Sequence, residues 1–243
     1  MTAELLRSLH VPGRPLVLPN IWDAGTARLV VEAGFPVVAT SSAAVAESLG
    51  YRDHQGASAA EMFAAAARIT RAVDAPVTVD AEAGYGLAPT ELADRLLATG
   101  AVGCNLEDTD HTGGGVTPVD KQAEYLAEVR AAAGSSLVIN ARVDVFLYAQ
   151  SDQESVLAEG IERARAYLAA GADCVYPILL RRTDLLKSFA DEVGAPVNAA
   201  KLPELSIPDL ANAGMARISL AAGLWRQTKA MLGQTLAELR SSE

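Results

Sequence analysis

Hydrophobic and polar positions divide the chain into short apolar runs separated by longer amphipathic stretches. The runs are 16–20, 37–40, 77–82, 103–108, 137–142, 173–177, 196–199 and 216–220. Most hold β-branched residues or alanine, and turn residues punctuate the intervals, which predicts strands. Helical spacing over 2–9, 24–33, 59–73, 89–99, 119–133, 152–170, 183–192, 206–213 and 223–240 fills the intervals. A short helical piece also runs to Leu49. Apolar strands alternating with helices specify a parallel sheet with helical crossovers. Eight repeats without a linker predict an α/β fold of the (β/α)8 TIM-barrel type. One domain covers residues 1–243, with an N-terminal and a C-terminal helix in addition. Ala33-Gly34, Thr99-Gly100-Ala101 and Ala170-Gly171-Ala172 follow three of the helices and read as recurring C-cap chemistry.

Composition narrows the reading. The 243 residues suit one barrel of about 250. Half are hydrophobic and only 5% aromatic, which favours close packing of small helices on strands. The formal charge of −10 argues against nucleic acid and anionic membrane as partners. It leaves room for an anionic substrate, because a bound cation can reverse the local field. Met1-Thr2-Ala3-Glu4 does not begin a basic and then apolar leader, and no apolar run approaches the ~20 residues of a membrane span. A soluble, cytoplasmic protein is expected. Cys104 and Cys174 fall in predicted strands and read as buried free thiols.

Polar residues gather at the carboxyl ends of the predicted strands: Asn20, Ser41, Asp80, Glu82, Glu107, Arg142 and Asn198. In a barrel that end is the active-site face. Strand alternation puts Asp80 and Glu82 on one side, where two like charges call for a cation. With Glu107 they form an all-oxygen donor set that suits Mg2+ or Mn2+. Arg142 could clamp a substrate carboxylate or phosphonate, or pair with Glu107 or Asp144. Ser41 and Ser42 lie among small residues whose N–H groups can approach an anion. Asp53 could orient metal waters or the reacting group. Asn20 and Asn198 are further candidates for substrate contact. His111, followed by Gly113-Gly114-Gly115, reads as part of a mobile segment over the site. Lys201 would be the nucleophile of a metal-free Schiff-base aldolase. Trp22 and Trp225 are read as packing residues.

Five segments together carry a family resemblance. They are Pro19-Asn20-Ile21-Trp22-Asp23-Ala24-Gly25, Thr40-Ser41-Ser42 with Leu49-Gly50-Tyr51-Arg52-Asp53, Val79-Asp80-Ala81-Glu82-Ala83-Gly84-Tyr85-Gly86, Asn105-Leu106-Glu107-Asp108, and Asn140-Ala141-Arg142-Val143-Asp144. In this order they resemble the isocitrate lyase/phosphoenolpyruvate mutase superfamily over nearly the whole chain. The resemblance implies chemistry beside a 2-oxo acid through a pyruvate enolate held on Mg2+. It implies Asp80 as a direct metal ligand, with Glu82 and Glu107 acting largely through water. Asp53 would lie near the reacting group, Ser41 and Ser42 would meet the substrate carboxylate, and Arg142 would hold the substrate.

The lyases of that superfamily carry Lys-(Lys/Arg)-Cys-Gly-His after the fourth strand, where this chain has Asp110-His111-Thr112-Gly113-Gly114-Gly115. His111 is then the candidate for the acid–base role. The leading expectation is a Mg2+-dependent carbon–carbon lyase acting on a small 2-hydroxy or 2-oxo dicarboxylate. Alternatives are hydrolytic C–C or C–P cleavage of an oxaloacetate-like or phosphonopyruvate-like compound, and a silent member that binds 2-oxo acids. A homo-oligomer, dimer or tetramer, is expected. With about one helix after the eighth strand, the exchange of C-terminal helices usual in the family is not.

Overall fold

Every laddered strand pair in the computed structural model, which describes residues 2–241, is parallel. The strands are β1 (Leu16–Leu18), β2 (Asn20–Ile21), β3 (Val38–Thr40), β4 (Val77–Asp80), β5 (Gly103–Glu107), β6 (Val138–Val143), β7 (Cys174–Pro177), β8 (Asn198–Ala200) and β9 (Arg217–Ser219). One ladder runs β2-β3-β4-β5-β6-β7 and another β1-β9-β8. A parallel bridge between Val175 and Val197 joins β7 to the start of β8. The ring closes where β1 continues into β2.

That junction is the one place where the expected first strand divides. Pro19 has no N–H to donate, so the ladder passes from β9 on one side to β3 on the other. Asn20 holds the break together: its Nδ2 donates to the Thr40 carbonyl at 2.8 Å, and its Oδ1 accepts from the Leu220 N–H at 2.8 Å.

The helices are α1 (Ala3–Ser8), α2 (Ala24–Glu32), α3 (Ser42–Ser48), α4 (Ala59–Thr70), α5 (Pro89–Ala98), α6 (Val119–Ala133), α7 (Val145–Ala149), α8 (Leu157–Ala169), α9 (Thr183–Val193), α10 (Ile207–Asn212) and α11 (Gly223–Ser241). Asp23 and Ser58 cap α2 and α4 through side-chain oxygens. The long helix expected over 152–170 is shorter: residues 151–156 are mainly turns, α8 starts at Leu157, and α7 is a separate short helix before it. Gly34, Gly100 and Gly171 follow α2, α5 and α8 with φ of 87°, 85° and 99°, the left-handed geometry that a glycine admits without penalty.

Side chains alternate between two environments along each strand. Outward residues such as Val79, Leu106, Ile139, Val175 and Ile218 join the helices in one large apolar layer. Inward residues at the N-terminal end, Leu16, Val37 and Val138, form a second cluster with Leu18, Ala39 and Val102, and Ala3 and Leu6 of α1 plug it. Gly103 makes room for the plug, since a Cβ there would lie 2.7 Å from a Leu6 methyl. Above the plug the interior turns polar. The Asn105 side-chain oxygen accepts from Asn140 at 2.8 Å and from the buried Arg217 at 3.0 Å.

The first turns of α11 anchor it to the barrel. Trp225 meets Trp22 edge-on at 4.8 Å, and the Trp225 indole and Lys229 both donate to Glu47 of α3. Farther along, Met231, Leu232, Leu236 and Leu239 are exposed. Among the described residues no helix is long and apolar enough to cross a membrane.

Candidate active site

At the carboxyl end of β4, the Asp80 backbone N–H donates to the Thr40 hydroxyl at 2.8 Å. Its Oδ2 accepts from the Ser42 N–H at 3.1 Å and from the Ser42 hydroxyl at 2.8 Å. Ser42 therefore engages Asp80 with the N–H expected to face a substrate. The other carboxylate oxygen, Oδ1, is buried with no protein partner among the described residues.

Glu82 reaches the same mouth by a route other than strand alternation. β4 ends at Asp80, and Glu82 has φ 49°, in a left-handed turn that costs a non-glycine residue on the order of 1 kcal/mol. Its carbonyl accepts from the Glu107 N–H at 2.9 Å, and its Oε2 accepts from the Gln55 N–H at 2.5 Å. Gly84 completes the turn at φ 85°; a Cβ there would lie 2.3 Å from the Tyr125 hydroxyl. Burial first, and the Asp80 charge second, push the Glu82 carboxyl up to about 7.

Burial also raises the Glu107 carboxyl, against the pull of Arg142. Arg142 grips Asp144 with two bonds of 2.7 Å and reaches Glu107 at 2.5 Å. The ion pair weighed for Arg142 from sequence is thus present. The fork offered to a substrate is largely engaged by protein acids, although Arg142 still lines the cleft. Asp144 is held in turn: its carboxylate accepts the Thr109 hydroxyl, and its N–H donates to Asp108 at 2.8 Å. Asp108 is fully buried, pushed up to about 6 by burial, and bonded to Tyr167 at 2.6 Å and Arg163 at 3.1 Å. This chain of pairs locks the orientation of Arg142 and Glu107.

The segment expected to be a mobile lid is folded down. Thr109 and Val116 form an antiparallel bridge, and the Asp110 carboxylate accepts the N–H groups of Thr112 at 2.9 Å and Gly113 at 2.7 Å. His111 Nε2 lies 2.6 Å from Glu107 Oε1, and that bond raises the imidazole above its usual range. Donor atoms of Glu82, Glu107 and His111 all lie within 4.8 Å of one another, a group able to hold a metal ion. Three neighbouring donors and the unpartnered Asp80 oxygen suit a divalent cation, now with one nitrogen beside the oxygens.

A cleft of about 240 Å3 opens over Asp80. Asn20, Ser41, Ser42, Asp53, Asp80 and Arg142 line it, as does His54, whose ring lies 5.8 Å from that of His111. Asp53 stands 3.5 Å from the Ser42 hydroxyl. Asn20 faces the cleft, but both its polar side-chain atoms serve the barrel seam. Asn198 is buried against Ser219 at 3.1 Å and does not line the cleft. Lys201 turns its amine to the Leu202 carbonyl at 2.8 Å and lies outside the cleft, which leaves the Schiff-base reading without support. Cys104 and Cys174 are buried, and burial pushes both thiols up to about 12.

Sequence reasoning missed Asn105, Tyr176 and Arg226, all of which line the cleft. Inward alternation in β5 and β7 could have found Asn105 and Tyr176. Nothing local marks Arg226, which belongs to a helix.

A parallel barrel with buried acids, a histidine and an arginine at its carboxyl-end mouth defines a class of enzyme-like sites, and sequence comparison narrows the class. The chain belongs to the phosphoenolpyruvate phosphomutase family, whose profile matches residues 6–240, and hence to the isocitrate lyase/phosphoenolpyruvate mutase superfamily. It is similar to a candidate phosphonomutase from Burkholderia cenocepacia J2315. That crystal structure is 40% identical, covers 97% of this chain and 99% of its own, and superposes with a TM-score of 0.92. An uncharacterised Mycobacterium tuberculosis protein (strain H37Rv) is 33% identical over 87% of this chain and 79% of its own. The 2-methylisocitrate lyase of Bacillus subtilis (strain 168) is 30% identical over 76% of this chain and 62% of its own.

Proposed function

We propose that this protein is a Mg2+-dependent lyase that cleaves a C–C bond in a small 2-hydroxy or 2-oxo dicarboxylate. The observation that carries this reading is the Asp80 Oδ1 atom, buried and unpartnered beside Glu82 and Glu107. A carboxylate so placed is tolerated when a cation completes it. Asp80 would hold the ion, with Glu82 and Glu107 as the adjoining donors. When bound, Mg2+ would supply Lewis-acid stabilisation of the negative charge that develops as the bond breaks. Mn2+ would serve the same donors.

The remaining steps belong to side chains. Ser41 would orient the carboxylate next to the reacting carbon, with Arg142, held in place by Asp144 and Glu107, adding its positive charge at the cleft wall. Asp53, beside the Ser42 hydroxyl, positions the group that reacts. The Glu107–His111 pair shares a hydrogen bond at 2.6 Å and can hold or release a proton at His111 Nε2. The cleft is smaller than the ~300 Å3 at which pockets for drug-sized ligands begin, which favours a compact substrate.

A second reading is hydrolytic cleavage of an oxaloacetate-like or phosphonopyruvate-like compound. It is favoured by the burial of both cysteines, which leaves no thiol in the mouth to serve as acid or base.

Incubation with Mg2+ and a panel of dicarboxylates and phosphonopyruvate tests both. Pyruvate with a second carboxylate identifies the lyase. Oxalate plus acetate, or pyruvate plus phosphate, identifies hydrolysis. Asp80→Ala should abolish Mg2+ binding in calorimetry and lower turnover by at least about a hundredfold. Full Mg2+ affinity in that variant would refute the metal assignment.

A further inference from the structure

We propose that Arg226 binds the distal carboxylate of the substrate and so sets the selectivity of this site for a dicarboxylate. The proposal rests on the reading of the cleft as a 2-oxo acid site.

Position supplies the first observation. Ring order places β9 across the barrel from β5, and α11 follows β9. α11 packs against β2, so Arg226 joins the cleft from a helix on that part of the rim, while Asp80 and Arg142 belong to β4 and β6.

Availability supplies the second. Among the described residues Arg226 has no hydrogen bond or ion pair through its guanidinium, whereas Arg142, the other arginine of the cleft, is bound to Asp144 and Glu107. Much of the rest of the lining, including Leu147, Ile178, Leu179 and Ala222, is apolar and offers no partner for a second carboxylate. Arg226 is the lining arginine that no protein acid engages among the described residues. Its five N–H donors match a carboxylate in planar, two-point geometry.

Anchoring supplies the third. The neighbouring Trp225 is wedged on Trp22 and bonded to Glu47, and Lys229 one turn later also bonds Glu47. α3, which carries Glu47, begins at Ser42, so one contact fixes α11 and the Asp80-binding serine together. The arginine stem thus leaves a fixed point, and less freedom is lost when a ligand binds.

The test compares two ligands that differ in reach. Oxalate occupies the cation end alone, and 3,3-difluorooxaloacetate adds a distal carboxylate. Both are titrated by calorimetry, with Mg2+ present, into wild type, Arg226→Gln and Arg226→Lys. Arg226→Gln should weaken 3,3-difluorooxaloacetate by about tenfold, the loss of one charge-assisted contact. It should leave oxalate within about twofold. Arg226→Lys should recover part of the loss, because it keeps the charge and loses the fork. An equal loss for both ligands would assign Arg226 a general field effect and overturn the proposal, as would an unchanged affinity for the longer one. Failure of wild type to bind oxalate with Mg2+ would remove the 2-oxo acid reading itself, and the proposal with it.

Discussion

At the N-terminal end of the barrel, Leu6 of α1 sits among Leu16, Leu18, Val37 and Val138; at the other end, the neighbouring strands finish in Asn20, Asp80, Glu107 and Arg142. The floor buries apolar surface, at about 1.5–3 kcal/mol for a side chain such as Leu6. The mouth does the reverse. It buries carboxylates whose charged forms oppose folding until a cation or an arginine meets them. The barrel therefore assigns stability to one end and chemistry to the other.

The floor has a polar member of its own. His10 follows α1, is buried, and has neither ring nitrogen bonded. Burial first, then Arg217 and Arg7, lower its pKa from 6.5 to about 3. The two ends consequently respond to pH in opposite directions.

The largest expected effect separates floor from mouth. Leu6→Ala should destabilise the protein by about 2–5 kcal/mol in denaturant unfolding. Mg2+ affinity, measured where the variant is still folded, should stay unchanged; a parallel loss of affinity would show that the ends are coupled. Next comes Glu82→Gln. The raised Glu82 carboxyl means that the folded state binds the extra proton between about 4.5 and about 7, so stability falls as pH rises through that window. At pH 8 the metal-free variant should melt several degrees higher than wild type, while its Mg2+ affinity drops about tenfold. A lower melting temperature would contradict the assignment of strain to the mouth.

Smallest near neutral pH is an effect that appears only in acid. For His10 the unfolded state takes the proton first, so stability is complete above about 6.5 and is lost toward about 3. This group adds a slope of up to about 1.4 kcal/mol per pH unit within the window. The difference in stability between wild type and His10→Gln should follow that slope, and a difference independent of pH would remove His10 as the source.

Much of this was legible beforehand, for particular reasons. Strand and helix periods are local, so alternation predicted the parallel ring and put Asp80, Glu107 and Arg142 at its mouth. Glu82 reached the mouth as predicted but by a left-handed turn, because backbone bonds to Glu107 and Gln55 outweigh strand periodicity there. The glycine-rich segment suggested mobility by composition. Asp110 holds it folded, with His111 on Glu107, through bonds that composition does not encode.

The sequence by itself determined the fold, the superfamily resemblance and the acids of the mouth, since each is written in short-range pattern. Only the tertiary structure decided which charges are already engaged and which remain free. Arg142 is occupied by Asp144 and Glu107, and Arg226 is left open by a helix anchored on Trp22 and Glu47. Those pairings join residues that meet only once the ring has closed, and no local period along the chain reports them.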